Sequence, residues 1–136
     1  MRAILILTTL LGLTACGRNE APDEPLYVID QSAPAAAPDP GLEGCWSGVI
    51  TTSVEPRRIL LDVSLDPARV RLISPGQGGG AIAFEQVRLD GPRLAAATRL
   101  GAFRFDGALD GDGRLAGEVI QGGLVDNLSL EPAEGC

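Results

Sequence analysis

Phe103-Arg104-Phe105-Asp106-Gly107-Ala108-Leu109-Asp110-Gly111-Asp112-Gly113-Arg114-Leu115-Ala116-Gly117-Glu118-Val119-Ile120 is the stretch that decides the fold. Phe103, Phe105 and Leu109 alternate with Arg104 and Asp106, and Leu115 and Val119 alternate with Arg114 and Glu118. A period of two means strands with one face in a core and the other in water. Asp110-Gly111-Asp112-Gly113 lies between the two runs and supplies residues that accept turn dihedrals, so the pair reads as an antiparallel hairpin.

Working outward, similar runs recur at short intervals. Strands are expected at 45–52, 57–65, 69–73, 81–84, 86–89, 94–99, 102–109, 114–120 and 127–130, the fourth and fifth being either separate or one bent strand. Asp66-Pro67 and Asp90-Gly91-Pro92 mark further turns. About eight antiparallel strands predict an all-β fold, a small meander closed or nearly closed into a barrel. The 18 Gly and 10 Pro fit such a turn-rich chain. A barrel of about eight strands is just wide enough for side chains to fill. Ile59, Leu61, Val63, Val70, Leu72, Ile82, Phe84, Phe103, Phe105 and Leu128 compete for that space, so a large lumen is not expected.

Ahead of the domain, Arg2 precedes an apolar run that holds Ile4, Leu5, Ile6, Leu7, Leu10 and Leu11, and Leu13-Thr14-Ala15-Cys16 follows. A basic residue, an apolar centre and small residues before a cleavage point make up a secretory signal, and the run is too short to span a bilayer. The tetrad resembles the lipobox of bacterial lipoproteins. The resemblance implies cleavage before Cys16, diacylglycerol on its thiol and acylation of the new amino group. An ordinary cleaved signal is the alternative. Gly17 follows the cysteine where an inner-membrane retention signal has Asp, so the resemblance implies the periplasmic face of the outer membrane.

Removal of residues 1–15 takes Arg2 and leaves 10 basic against 18 acidic residues, a net charge of −8. Nucleic acid is therefore not an expected partner, because binding it requires clustered cations against phosphate. An anionic membrane surface would repel the domain as well, which leaves the acyl chains as the attachment. Residues 16–41 are dominated by Ala, Pro, Asp and Glu and read as an unfolded linker. In polyproline-like form it would reach about 75 Å from the membrane. Within it, Leu26-Tyr27-Val28-Ile29 is an apolar island that either docks on a sheet edge or stays a sticky spot in the linker. The folded domain is then 42–136.

Cys45 and Cys136 bracket that domain in an oxidising setting. A disulfide between them is expected, because a closed meander brings its first and last strands together. It would contribute on the order of 4 kcal/mol by loop entropy. Two unpaired thiols are the alternative.

Ile73-Ser74-Pro75-Gly76-Gln77-Gly78, Val87-Arg88-Leu89-Asp90-Gly91, the stretch from Phe105 to Gly117 and Gln121-Gly122-Gly123 occur in an order that resembles a known module. Gly44-Cys45-Trp46-Ser47-Gly48 is similar to its opening, and the likeness covers 44–131. The module is the small β domain that precedes the catalytic domain in bacterial exported α/β-hydrolases of the serine aminopeptidase or esterase kind. Gly76 departs from it, since the module carries Asp there. The sequence contains no Gly-x-Ser-x-Gly elbow and no His, so a Ser-His-Asp triad cannot be assembled and the hydrolase activity is not carried over. The domain is expected not to be an enzyme.

The remaining motifs are weak. Gly76-Gln77-Gly78-Gly79-Gly80-Ala81 and Gly111-Asp112-Gly113-Arg114-Leu115-Ala116 fit a loose dinucleotide pattern. Both lead into strand-like sequence instead of the helix N-terminus a phosphate needs, and the first reads as a long rim loop. Asp106, Asp110 and Asp112 suggest calcium, but a hairpin turn explains the spacing better. Asp62 and Glu85 are carboxylates that nothing places together. Zinc lacks ligands, with no His and only two spare Cys, so no metal or cofactor is expected.

Trp46, the sole tryptophan, either lines a barrel mouth or plugs the base. Candidate ligand or partner contacts are Trp46, Ser74, Gln77 and Gln121. The functional expectation is a membrane-tethered envelope lipoprotein with a non-catalytic binding or interaction domain, whose envelope protein partner or small ligand the sequence does not name. The alternative is a small lipocalin-like carrier of an apolar ligand, which would need an open lumen.

Overall fold

The computed structural model describes residues 28–51, 55–78, 80–99 and 101–136. The signal-like segment, Cys16 and the Leu26-Tyr27 half of the apolar island lie outside the described residues.

Among the described residues nine strands follow in chain order: β1 (Gly44–Ile50), β2 (Arg57–Leu65), β3 (Ala68–Ile73), β4 (Ala81–Ala83), β5 (Gln86–Asp90), β6 (Arg93–Ala97), β7 (Phe103–Leu109), β8 (Leu115–Gln121) and β9 (Leu124–Ala133). All pairings are antiparallel, in the order β4-β3-β2-β1-β9-β8-β7-β6-β5. Every neighbour is sequential except β1 and β9, whose pairing (Cys45 opposite Ala133) rolls the meander up. The fold is all-β as expected, and the sheet curls through 280° and stays open.

The opening falls between β4 and β5. Alternating directions around the sheet make these two strands run the same way, with only Phe84 and Glu85 between them. They behave as one strand bent across the gap, its first half paired with β3 and its second with β6. Phe84 holds the bend. Its N–H donates to the Val70 carbonyl at 3.0 Å, and its buried ring lies 5.7 Å from that of Phe103 across the opening.

The expected hairpin is present as β7 and β8, paired from Phe103–Gln121 to Leu109–Leu115. Its inward residues, Phe103, Phe105, Leu115 and Val119, are buried, as alternation requires. Gly107 faces Gly117 across the ladder. A Cβ at Gly117 would stand 2.1 Å from the Asp106 carbonyl oxygen, and one at Gly107 would stand 2.6 Å from the Phe105 ring. Gly107 therefore leaves the space that the Phe105 ring occupies, and Gly117 lets the two backbones approach closely. Gly122 and Gly123, with φ of +57° and +82°, form the two-residue turn into β9, which suits the twist of a hairpin.

Trp46, Leu61, Val63, Leu94, Leu115 and Leu130 continue the core toward one end, called the base here. The base is covered by a 3-10 turn, Pro40–Leu42, capped by the Asp39 carboxylate on the Gly41 N–H at 2.8 Å. Leu42 is fully buried beneath it, and its carbonyl accepts the Trp46 indole N–H at 3.0 Å. Cys45 and Cys136 are joined in a disulfide with Cα atoms 5.6 Å apart. The expected pairing is thus present, and it ties β1 to the tail of β9 at this same end.

Residues 28–41 correct the reading of an unfolded linker. They lie against β5 and the turn after it. Ile29 is buried, and its N–H donates to the Gln86 side-chain carbonyl at 2.7 Å. The Arg88 guanidinium donates to the Ala33 carbonyl at 3.0 Å, the Asp90 carboxylate accepts the Ala36 N–H at 2.8 Å, and the Asp39 N–H donates to the Gly91 carbonyl at 2.8 Å. The segment satisfies its backbone through β5 side chains, which composition alone does not reveal. Among the described residues every buried apolar side chain falls between Ile29 and Leu130, so 28–136 carries the packed core and the disulfide together.

Candidate functional site

The end opposite Trp46 is the mouth. There the strands finish or begin at Ile50, Arg57, Ile73, Ala81, Ala97, Phe103 and Gln121. The interior opens into a cleft of about 290 Å³, floored by Ile50, Ile59, Leu72, Ile82 and Phe103 and edged by Arg57, Ser74, Thr98, Ala102 and Gln121. Ile82 is half exposed at its edge, although its position on β4 opposite Leu72 turns it toward the core side.

Arg57 owes its place to register. On β2 the inward positions are Ile59, Leu61 and Val63, all buried, and residue 57 continues that series to the rim. Among the described residues its guanidinium makes no ion pair or hydrogen bond, whereas the neighbouring Arg58 donates to Ser47 Oγ at 3.1 Å. A second groove over Glu55, Pro56, Arg58 and Gly76 adjoins the cleft, and the two share Arg57 and Ser74.

The mouth rim is fastened between β1 and β9 by Asp126, whose carboxylate accepts the Thr51 N–H at 2.8 Å and the Thr51 hydroxyl at 2.6 Å. The hydroxyl bond, followed by the backbone one, holds this carboxyl below the usual carboxylate range. Charge is unevenly spread. Asp39, Glu43, Asp66, Asp90, Asp110, Asp112 and Glu134 gather at the base and outnumber Arg69, Arg93 and Arg114 there, while Arg57, Arg58 and Arg99 stand at the mouth with Glu55 and Asp126. In a chain of net charge −7 the mouth is its least acidic end.

Of the candidate contacts, the structure brings Ser74 and Gln121 together on the cleft wall and places Gln77 in the 3-10 turn Pro75–Gln77 of the same rim loop. It does not bring Trp46 to them. Trp46 is 4% exposed and bonded to Leu42 at the base, so of its two expected places it takes the plug and not the mouth, and it is a packing residue of the core. Arg57 went unread as a site residue, although its even spacing with Ile59, Leu61 and Val63 was the available signal.

The weaker motifs resolve into turns and surface pairs. Asp110 Oδ1 accepts the N–H groups of Asp112 and Arg114, both at 2.9 Å, so this carboxylate is spent on closing the β7–β8 turn. Asp62 faces outward and is ion-paired with Arg71 on β3, while Glu85 is exposed at the bend between β4 and β5. Among the described residues no three His, Cys, Asp or Glu side chains are grouped to hold a metal ion.

Comparison with protein-family models, curated proteins and solved structures gives no match for this chain. Fold and site by themselves define an open, nine-stranded β-barrel with an apolar mouth and a polar rim.

Proposed function

We propose that the domain is a non-catalytic binding module of the bacterial envelope, held by lipid on Cys16 and working through its mouth. The carrying observation is the cleft itself: the core side chains Ile50, Ile59, Leu72 and Phe103 form its floor, and the half-exposed Ile82 stands at its edge with Arg57, Ser74 and Gln121. Small-ligand sites have this make-up, mostly apolar walls with a few polar groups that fix orientation.

A lipocalin-like carrier of an apolar ligand is the second reading, and the same apolar floor favours it. The cleft lies at the lower end of the volumes that hold small ligands, about 300–1,000 Å³. Phe103, Phe105 and Val119 fill the interior below it. The mouth therefore suits one end of a ligand better than a whole one. Likeness to the β domain that precedes exported α/β-hydrolases fits an accessory, recognising role. The 136 residues supply no histidine to serve as the base of a triad.

A small-molecule screen by NMR on oxidised residues 17–136 tests the reading. Shifts concentrated at Ile50, Ile82, Phe103 and Gln121, with no turnover of model esters or peptides, are expected. Hits confined to the base or the outer sheet face, or turnover abolished by changing a single polar residue, would overturn it. The tether is tested separately: Cys16→Ser should lose palmitate labelling and leave the membrane fraction, and continued membrane association would refute the anchor.

A further inference from the structure

We propose that the mouth selects amphiphiles with an anionic head, the alkyl end lying on the Ile50–Ile59–Ile82 floor and the head against Arg57. This rests on the binding reading above and adds the chemical class of the ligand.

Three observations converge on it. The first is the unspent cation. Arginine is always charged and offers a planar fork of donors matched to carboxylate or phosphate. Arg71, Arg93 and Arg114 are each ion-paired on the outer surface, with Asp62, Asp106 and Glu131, whereas Arg57 has no such partner among the described residues. The second is position. Arg57 and Ser74 stand where the apolar cleft passes into the outer groove, so one molecule can put methylenes on isoleucine and its head on a guanidinium and a hydroxyl. The third is the field. The carboxylates concentrate at the base, which leaves the mouth as the end where an anion meets least repulsion. A neutral apolar ligand would use the floor and leave Arg57 idle. A cationic one would meet Arg57, Arg58 and Arg99.

Octanoate, octan-1-ol and octyltrimethylammonium share a chain length and differ in head charge, and they separate these cases. Methyl-detected titrations of residues 17–136 should show octanoate moving Ile50, Ile59 and Ile82 and binding about tenfold more tightly than octanol, as one charge-assisted contact supplies. Arg57→Gln should abolish the preference and leave octanol affinity unchanged, and Arg57→Lys should keep part of it. Arg57 is exposed, so both variants should retain the amide spectrum of the folded chain. Octanol equal to octanoate, octyltrimethylammonium bound best, or Arg57→Gln weakening acid and alcohol alike would refute the anionic class while the mouth remains a binding site. Mouth methyls that stay still with all three probes would overturn the binding reading with it.

Discussion

Replacing both cysteines, Cys45→Ala with Cys136→Ala, should lower stability more than any single surface change. The bond spans 91 residues of sequence. Loop-closure entropy lost by the unfolded chain for a ring of that length is about 15 cal/mol/K, or about 4.6 kcal/mol at 25 °C. A small domain has roughly 5–15 kcal/mol in total, so the bond accounts for a large share. At about 4–8 °C per kcal/mol for a chain of this size, the unfolding midpoint should fall by roughly 20–35 °C. The native state itself should change little, because Cys45–Ala133, Trp46–Pro132 and Ser47–Glu131 pair β1 with β9 independently of the sulfurs. Circular dichroism melts of oxidised residues 17–136, of the same protein with reductant and of the double variant make the comparison, with far-ultraviolet spectra at 10 °C as the check on native structure. A midpoint shift under about 5 °C with an intact native spectrum would contradict a loop-entropy origin for the stabilisation. It would mean that the unfolded chain already keeps its two ends together.

Gly117→Ala should cost about 1–3 kcal/mol or more, since its Cβ would meet the Asp106 carbonyl and the Gly107 Cα, backbone atoms that can yield only by parting β7 from β8; urea unfolding measures it, and a loss under 0.5 kcal/mol would show that the ladder relaxes freely. Asp126 has a depressed folded pKa, so its grip on Thr51 contributes above the unfolded value and is lost as pH falls through the lower folded one. The Thr51 amide resonance should accordingly titrate below pH 3.8, the ordinary value, in wild type and be pH-independent in Asp126→Asn; a wild-type midpoint at or above 3.8 would contradict the contact.

Most of the fold was legible because its signals are local. The alternation of Phe103 and Phe105 with Arg104 and Asp106 gave β7 and its inward face, and the Asp-Gly turns located the hairpins. The last strand reads short, at 127–130, because Leu124 and Val125 are more than half exposed and Pro132 breaks the pattern. Pro132 lies past Leu130, the last residue paired with β8, and stands opposite Trp46 on β1. Docking of 28–41 was hidden for another reason. It depends on Gln86, Arg88 and Asp90 reaching the backbone of a segment more than 50 residues away, and composition carries no trace of such pairs. At the site, Ser74 and Gln121 were readable as polar residues at strand ends. Trp46 stayed open between two places because an aromatic beside a strand start suits either end of a barrel, and the Leu42 carbonyl shows which end it serves.

Photo-crosslinking in the producing cells shows whether the mouth is the working end. A benzophenone amino acid placed at Ala102, on the cleft wall, is compared with one at Glu131, on the outer face toward the base. A working mouth gives a discrete mass adduct at 102, absent at 131 and reduced when Ile82→Trp fills the cleft. Adducts at 131 alone, or equal at both sites and indifferent to Ile82→Trp, would contradict it.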